Sequence, residues 1–206
     1  MKKEEVSKIF WKSTKFYPNY PFLKERRKYE IEYLLKNIPS NSKSLLDLGC
    51  GNGSTTILLR ELTYIETYFC FDISENMLSA IGPNRDSRLI KKVWDANDKD
   101  FEFPNVDVTI SMNMFPCIFD DEILEEIIKN IKSNIFISRI TCEKKRLEIN
   151  KFSEDLGRNV AACYRTEQEY LSLMKKYFKE VHVSRAFPDD IESKYGSKQM
   201  FFLCEK

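Results

Sequence analysis

Short apolar runs alternate with amphipathic segments along most of the chain, a pattern typical of alternating strands and helices. The apolar runs predict strands at 44–48, 68–73, 89–94, 106–112, 134–140, 180–187 and 199–204. Helical periodicity occurs between them at 54–62, 75–80, 121–131 and 166–178. Strands that alternate with helices favour a mostly parallel sheet, and right-handed crossovers then place helices on both of its faces. The predicted fold is a Rossmann-like, doubly wound α/β domain.

The first 41 residues precede this alternation and follow a helical pattern. Four apolar residues recur at the spacing of one helix face: Ile31, Leu34, Leu35 and Ile38. Pro18 and Pro21 should divide the region into two pieces, because a proline disfavours helix at the residue before it. We therefore expect one domain, with a helical cap at 1–41, a core at 42–140, and a final helix and strands at 166–206.

The segment 141–165 does not fit the alternation. It is rich in charged residues and follows the fifth predicted strand. It could form a solvated surface helix, or it could be an insertion over the active site. We prefer the insertion, because ligands of open α/β sheets bind at the carboxyl ends of the strands.

Composition and charge argue against several classes of function. The 206 residues carry a net charge of +1, without the basic excess that is typical of proteins that bind nucleic acids. No apolar run is long enough to span a membrane, and the N-terminus does not resemble a secretory signal. The six cysteines form no CxxC pair and there is one histidine, which argues against a metal site. We expect a cytoplasmic protein with reduced cysteines and no nucleic-acid or membrane partner.

The most informative stretch is a glycine-rich turn after the first predicted strand, which reads Asp47-Leu48-Gly49-Cys50-Gly51-Asn52-Gly53. Glycines allow positive φ and close approach of a ligand, and the amide groups that open the next helix face that ligand. The turn departs from the dinucleotide pattern G-x-G-x-x-G, because Ser54 occupies the sixth position. Asp47 lies two residues before the first glycine, where a carboxylate would repel a pyrophosphate but attract an ammonium or sulfonium group.

Two further aspartates, Asp72 and Asp95, lie at the ends of the second and third predicted strands. Asp72 follows the glycines at the distance where a carboxylate can accept the ribose hydroxyls of a nucleoside. Asp95 could accept a hydrogen bond from an adenine amino group. Each aspartate alone is more often a solvated strand-end residue. All three in order at one edge of one sheet indicate a binding site for a nucleoside that carries a positive charge.

A family resemblance rests on four motifs that contain these residues, DLGCGNG, FDIS, WDAND and VDVTISMNM. Together they resemble the class I S-adenosylmethionine-dependent methyltransferases, over roughly residues 42–206. The resemblance implies a seven-stranded sheet whose last strand is antiparallel. It also implies S-adenosylmethionine as the cofactor and S-adenosylhomocysteine as the product.

The same resemblance implies where each part of the cofactor would lie. Four residues of the turn would line the methionine moiety: Gly49, Cys50, Gly51 and Gly53. The amino group would meet the Asp47 carboxylate and a backbone carbonyl of Ser111 or Met112. The ribose would meet Asp72, and the adenine would meet Ile73, Asp95 and Ala96.

The catalytic residues are less clearly indicated. Many small-molecule members of the family carry a histidine after the fourth strand, but this chain has Cys117 there, which a structural thiol explains better than a nucleophile. The N/D-P-P-Y/F motif of the nucleic-acid amino-methyltransferases is also missing from this region. Methyl transfer depends largely on near-attack geometry, so that a strong base is optional. The candidates are Tyr17, Asn113 and His182, although a histidine on a strand surface is more often structural.

The arginines are the best indication of the acceptor. Arg139 ends the fifth predicted strand, Arg165 follows the insertion, and Arg26 lies in the N-terminal cap close to Tyr20. Most arginines pair with nearby glutamates or remain solvated. If several converge on the site, the acceptor is anionic, because guanidinium groups match carboxylate and phosphate. Tyr17 and Tyr20 would suit a lid, or equally a strap that only packs on the sheet.

The sequence therefore predicts a methyltransferase that acts on a small polar or anionic metabolite, on oxygen, such as a sugar or a phosphate-bearing intermediate. Two alternatives remain at this level. A nucleotide-dependent oxidoreductase could use the same fold, and a non-catalytic protein could keep the cofactor pocket. We expect a monomer or a homodimer.

Overall fold

The computed structural model describes residues 1–14, 21–81, 87–98, 101–154, 158–195 and 198–206, and only the backbone of 21–24, 194 and 195. The strands are β1 (Ser44–Leu48), β2 (Thr67–Asp72), β3 (Leu89–Val93), β4 (Val108–Met112), β5 (Ile135–Thr141), β6 (Leu147–Ser153), β7 (Arg158–Tyr164), β8 (Glu180–Arg185) and β9 (Gln199–Glu205). The helices are α1 (Lys3–Ser13), α2 (Pro21–Asn37), α3 (Ser54–Leu62), α4 (Glu75–Ser79), α5 (Asp121–Lys129), α6 (Glu167–Met174) and α7 (Asp189–Tyr195).

Seven strands form one sheet in the order β3-β2-β1-β4-β5-β9-β8. The pairs from β3 to β5 are parallel, and β9 runs antiparallel to both of its neighbours, β5 and β8. This arrangement confirms the predicted mostly parallel sheet with an antiparallel last strand. The chain order reverses between β1 and β4, and such a switch point opens a crevice at the carboxyl ends of the strands.

Two apolar layers cover the sheet, as a doubly wound domain requires. Alternate residues of β1 enter opposite layers, because successive side chains of a strand point to opposite faces. Leu46 and Leu48 pack with α5 and α6, whereas Leu45 packs with α2 and α3. All three leucines are fully buried. The glycine turn is therefore held by a strand that is packed on both sides.

Residues 141–165 contain a β-hairpin, so the interpretation of this segment as a surface helix is wrong. Strands β6 and β7 form a separate two-stranded sheet, in which Ile149 lies opposite Ala162. Strand β7 packs against α1 and against the short 3-10 turn Phe115–Cys117. A run of small residues at 161–163 makes β7 flat enough to be buried there. The position of the hairpin over the active site stays a prediction.

Several predicted boundaries differ from the structure. The helix predicted at 166–178 is α6 and ends at Met174, and the strand predicted at 180–187 is β8 and ends at Arg185. Helix α7 was not predicted. Tyr17 and Tyr20 lie outside the described residues. Within the described part of the chain, no helix is long and apolar enough to cross a membrane.

Candidate functional site

The glycine turn between β1 and α3 has the backbone that its composition predicts. Gly49, Gly51 and Gly53 have φ values of 72°, 56° and 68°, a region that other residues rarely adopt. The N–H groups of Gly49 and Cys50 both donate to the carbonyl of Phe71 in β2, at 2.8 and 3.1 Å. The turn is thus pinned to the neighbouring strand.

The space around each glycine distinguishes packing from ligand access. A Cβ atom on Gly49 would lie 2.7 Å from the Cβ of Met114, and one on Gly53 would lie 2.8 Å from Ile81. A Cβ on Gly51 would meet only the end of the Met77 side chain, at 3.4 Å. The outer two glycines are therefore required by packing, whereas a Cβ on Gly51 would make only an ordinary van der Waals contact with the described residues.

Asp47 is a buried carboxylate with one unsatisfied oxygen. Its side chain lies in the layer of α2 and α3, and the residue is 1% exposed. Its Oδ2 accepts a hydrogen bond from the Thr56 hydroxyl at 2.6 Å, while the buried Oδ1 has no partner among the described residues. Burial raises the pKa of Asp47 to about 7, although the Thr56 bond opposes this. An ammonium donor would satisfy both the oxygen and the charge.

Asp72 ends β2 and faces the same turn. Its Oδ2 accepts from the Gly51 N–H at 2.8 Å, and its Oδ1 accepts from the Ser74 N–H at 2.9 Å. Burial raises the pKa of Asp72, and the bonds from Ser74 and Gly51 partly offset this effect. Ile73 follows directly and is half-buried. The carboxylate therefore holds the turn and keeps lone pairs that can accept hydroxyl groups.

Asp95 follows β3 and is held in a different way. Its Oδ1 accepts from the backbone and side-chain nitrogens of Asn97, at 3.0 and 2.9 Å, and its Oδ2 lies 2.5 Å from the Lys8 ammonium. Burial opposes ionisation of Asp95, but the bonds from Lys8 and Asn97 outweigh it and lower the pKa. Ala96 packs against the core beside it.

The end of β4 closes the crevice on the other side of the turn. Ser111 is buried, and its hydroxyl donates to the Leu48 carbonyl at 3.1 Å. Met112 packs against both the α2 layer and the smaller apolar cluster around Phe187. Ser111 and Met112 therefore lie beside Asp47 and the first glycine, where the cofactor amino group is expected.

Asn113 has an unusual backbone for a residue that is not glycine. Its φ is 68°, and its N–H donates to the Arg139 carbonyl at 2.6 Å. Its Oδ1 accepts from both the N–H and the hydroxyl of Thr141, each at 2.9 Å. Asn113 therefore joins the carboxyl ends of β4 and β5, and its catalytic role stays a prediction.

Helix α1 lies across the carboxyl ends of three strands, within the region 1–41 that is predicted as a helical cap. Besides the Lys8–Asp95 ion pair, the Ser7 hydroxyl donates to the Cys117 carbonyl at 3.5 Å after β4. The Ser74 hydroxyl, after β2, donates to the Thr14 carbonyl at 2.9 Å. Within the predicted cap at 1–41, these contacts come from residues 7–14.

The β6–β7 hairpin holds α1 from its other side. Arg158 donates to the hydroxyls of Ser13 and Thr14, at 3.1 Å each, and its guanidinium lies 4.4 Å from the centre of the Phe10 ring. Such a contact between a cation and an aromatic face is favourable. Helix α1 is therefore held between the sheet edge and the hairpin.

The structure does not bring His182, the other catalytic candidate among the described residues, to this edge. His182 lies on β8, where its side chain is exposed and pairs with Glu180 at 3.3 Å. Strand β8 is four positions from β1, about 19 Å at the usual strand spacing. Cys117 does lie at the edge, but burial raises the pKa of its thiol to about 12, so it remains protonated at neutral pH.

The three predicted acceptor arginines divide into two groups. Arg26 and Arg139 converge on one ring, with their guanidinium carbons 5.2 and 5.9 Å from the centre of Phe187. Arg165 is buried elsewhere and donates to Asp121 and to the carbonyl of Ile118, at 2.8 and 2.9 Å. Arg165 therefore supports the loop that leads into α5, and the structure does not place it with the other two.

Sequence reasoning missed three residues of this site: Lys8, Glu30 and Thr56. Lys8 and Glu30 belong to helices, and only the tertiary fold shows what they face. Thr56 lies on α3 directly below the glycine turn, so its position relative to Asp47 could have been read from the strand–turn–helix motif. Within the described residues, no group of histidine, cysteine and carboxylate side chains is suited to hold a metal ion.

Comparisons with known proteins agree with this geometry. A family model described as a methyltransferase domain matches residues 39–187. No curated protein sequence matches the chain. The match includes the glycine turn and all three aspartates, and it argues against the oxidoreductase alternative.

Solved structures show the same fold at low sequence identity. An S-adenosylmethionine-dependent methyltransferase from Mesorhizobium loti is 16% identical, with a TM-score of 0.66, over 88% of this chain and 98% of its own. A complex of DhpI with S-adenosylhomocysteine is 13% identical, with a TM-score of 0.70, over 98% of this chain and 94% of its own. A Haemonchus contortus phosphoethanolamine N-methyltransferase was solved with phosphomonomethylethanolamine and S-adenosylhomocysteine. It is 17% identical, with a TM-score of 0.62, over 86% of this chain and 52% of its own.

Proposed function

The chain belongs to the class I S-adenosylmethionine-dependent methyltransferases, and we propose that it methylates an anionic oxygen of a small metabolite. The observation that carries the cofactor assignment is the buried Oδ1 of Asp47, which has no partner among the described residues beside a glycine turn. A buried carboxylate oxygen is costly without a donor. The α-amino group of S-adenosylmethionine supplies that donor and a positive charge.

The remaining cofactor contacts follow from the same placement. Gly51 would meet the methionine moiety, and Asp72 would accept the ribose hydroxyls. Ile73, Asp95 and Ala96, at the ends of β2 and β3, would hold the adenine. When bound, the cofactor supplies an electrophilic methyl group on a positively charged sulfur.

The acceptor chemistry follows from the ionisable groups at the edge. Among the described residues there, the Cys117 thiol has a pKa of about 12 and the strand-end carboxylates face the cofactor, so none is suited to deprotonate a hydroxyl. An acceptor oxygen that is already ionised needs no base. Such an oxygen would attack the methyl group directly, so no residue of the site would have to move a proton.

The arginine pair supports an anionic acceptor. Arg26 and Arg139 bring two guanidinium groups to the Phe187 ring at the carboxyl end of the sheet, beside the end of β4. Arg139 already donates to Glu30 and Gln199, so Arg26 is the main candidate for the anion. Guanidinium groups match carboxylate and phosphate geometry. The Haemonchus structure holds a small phosphate-bearing molecule, which is consistent with a phosphate- or carboxylate-bearing acceptor here.

The N-terminal region completes the proposal as a cap. Helix α1 contacts residues that follow β2, β3 and β4, so that together with the hairpin packed on it this helix would exclude water from the reacting sulfur. The six cysteines carry free thiols, which supports a cytoplasmic location. The absence of a nucleic-acid partner and a state of monomer or homodimer stay predictions.

The test is a metabolite screen that follows formation of S-adenosylhomocysteine. We expect turnover with carboxylates, phosphates or phosphonates, and loss of that turnover in Arg26→Gln. Methylation of amines, proteins or RNA alone would overturn the acceptor proposal and leave the cofactor assignment standing.

A further inference from the structure

Glu30, on the sheet-facing side of α2, joins three elements of the fold. The residue is 5% exposed, and its Oε1 accepts from the Thr55 hydroxyl at 2.5 Å. Its Oε2 accepts from the Arg139 Nε at 2.8 Å. Thr55 lies in the first turn of α3, two residues after Gly53. The position of the glycine turn relative to β5 therefore depends on Glu30.

Glu30 also acts on Asp47 through its charge. Both carboxylates face the layer between the sheet and helices α2 and α3, and the negative charge of Glu30 opposes ionisation of Asp47. The charged and titratable groups that face Asp47 come from α2, β2 and the glycine turn: Glu30, Arg27, Asp72 and Cys50. The neutral hydroxyl of Thr56 is the contribution of α3.

We propose that Glu30 is a positioning residue of the cofactor site, which fixes the first turn of α3, beside the glycine turn, through its bonds with Thr55 and Arg139. The proposal rests on the proposed function, in which ionised Asp47 accepts the cofactor amino group. Glu30 does not touch the cofactor. It acts through Thr55 and through the electric field at Asp47.

The consequence is a pH-dependent affinity. With a pKa of about 7 for Asp47, the free protein must lose a proton before it can bind the amino group. Affinity for S-adenosylhomocysteine should therefore be about tenfold weaker at pH 6 than at pH 8. Removal of the Glu30 charge should shift the transition to lower pH and make this ratio smaller.

Calorimetry with S-adenosylhomocysteine at pH 6, 7 and 8 tests the proposal. Glu30→Gln removes the charge but keeps an oxygen for Thr55, so the ratio between pH 6 and pH 8 should fall. Glu169→Gln is the matched control, because Glu169 is a partly buried glutamate that also accepts from a threonine, but it caps α6 in the apolar layer on the opposite face of the sheet. Its ratio should equal that of the wild type. Asp47→Asn should remove the pH dependence.

A second variant separates positioning from charge. Glu30→Asp keeps the negative charge, but its shorter side chain cannot reach Thr55 and Arg139. The affinity for S-adenosylhomocysteine at pH 8 should therefore fall several-fold, while the ratio of affinities between pH 8 and pH 6 stays near tenfold. Wild-type affinity in Glu30→Asp, or an unchanged ratio in Glu30→Gln, would overturn the inference. If the wild type fails to bind S-adenosylhomocysteine at every pH, it is the proposed function that fails.

Discussion

Asp47 should make the cofactor-free enzyme less stable than it would be with a neutral residue at this position. Its pKa is raised from 3.8 to about 7 because the carboxylate is buried. A raised pKa means that the folded state binds the proton more tightly than the unfolded state. The stabilisation by this proton is complete below about pH 4 and is lost as the pH rises to 7. Asp47→Asn removes this dependence.

The size of the effect follows from the two pKa values. A separation of about three pH units corresponds to about 4 kcal/mol at 1.36 kcal/mol per unit. The asparagine amide would leave a buried N–H group near the position of Oδ1, which costs about 1–3 kcal/mol. Asp47→Asn should therefore stabilise the free protein by about 1–3 kcal/mol at pH 8, a rise of several degrees in Tm for a chain of this size.

Urea unfolding of both proteins without cofactor, at pH 5 and pH 8, measures this difference. Asp72 is present in both proteins, so its own raised pKa cancels in the comparison. The variant should gain stability relative to the wild type between the two pH values, and it should bind S-adenosylhomocysteine at least tenfold more weakly. If Asp47→Asn is instead less stable than the wild type by the same amount at both pH values, the buried charge of Asp47 does not destabilise the free protein.

Three further changes test other parts of the site. Asp72→Ala should reduce S-adenosylhomocysteine affinity by about 10- to 100-fold in calorimetry, because a charged acceptor of the ribose is lost; unchanged affinity would contradict the assignment. Gly53→Ala should destabilise the protein by about 2–5 kcal/mol, because φ is 68° there and a Cβ would overlap with Ile81. Gly51→Ala should destabilise it by only about 1–2 kcal/mol but should weaken S-adenosylhomocysteine binding more than Gly53→Ala does. Equal losses of stability in urea would refute this distinction. Deletion of residues 1–20 should leave a folded protein with reduced turnover, and normal turnover would show that α1 is only a strap.

The part of the fold that could be predicted is the part that a continuous local pattern of apolar and polar residues marks. The predicted bounds of β1 and α3 agree with the structure, because an apolar run, a glycine turn and an amphipathic helix follow one another without interruption. The strand-end aspartates were found for the same reason. Each one directly follows or ends an apolar run, so its place at the sheet edge depends only on the local sequence.

The hairpin and α1 could not be predicted in the same way. Every residue of β6 is exposed or partly exposed, and the alternation of apolar and polar positions stops after Asn150, so no buried apolar run marks the strand. Its partner β7 is buried mainly by α1, more than 140 residues away, as the Arg158 contacts with Ser13 and Thr14 show. Glu30 was missed for a related reason: a charged residue beside an apolar helix stripe usually faces solvent, and only the fold places Thr55 and Arg139 around it.

The electrostatics of the three strand-end aspartates imply different contributions to cofactor binding. Asp95 is already paired with Lys8, so an adenine amino group would only replace one hydrogen-bond donor to Asp95 by another. This exchange would contribute more to selectivity than to affinity. Asp72 accepts two backbone N–H bonds, and neutral ribose hydroxyls add to them without any change of charge. Asp47 alone combines full burial, an unsatisfied oxygen and a raised pKa, so a cationic ligand gains most there. Recognition of S-adenosylmethionine and S-adenosylhomocysteine should therefore depend most strongly on the amino group that both share.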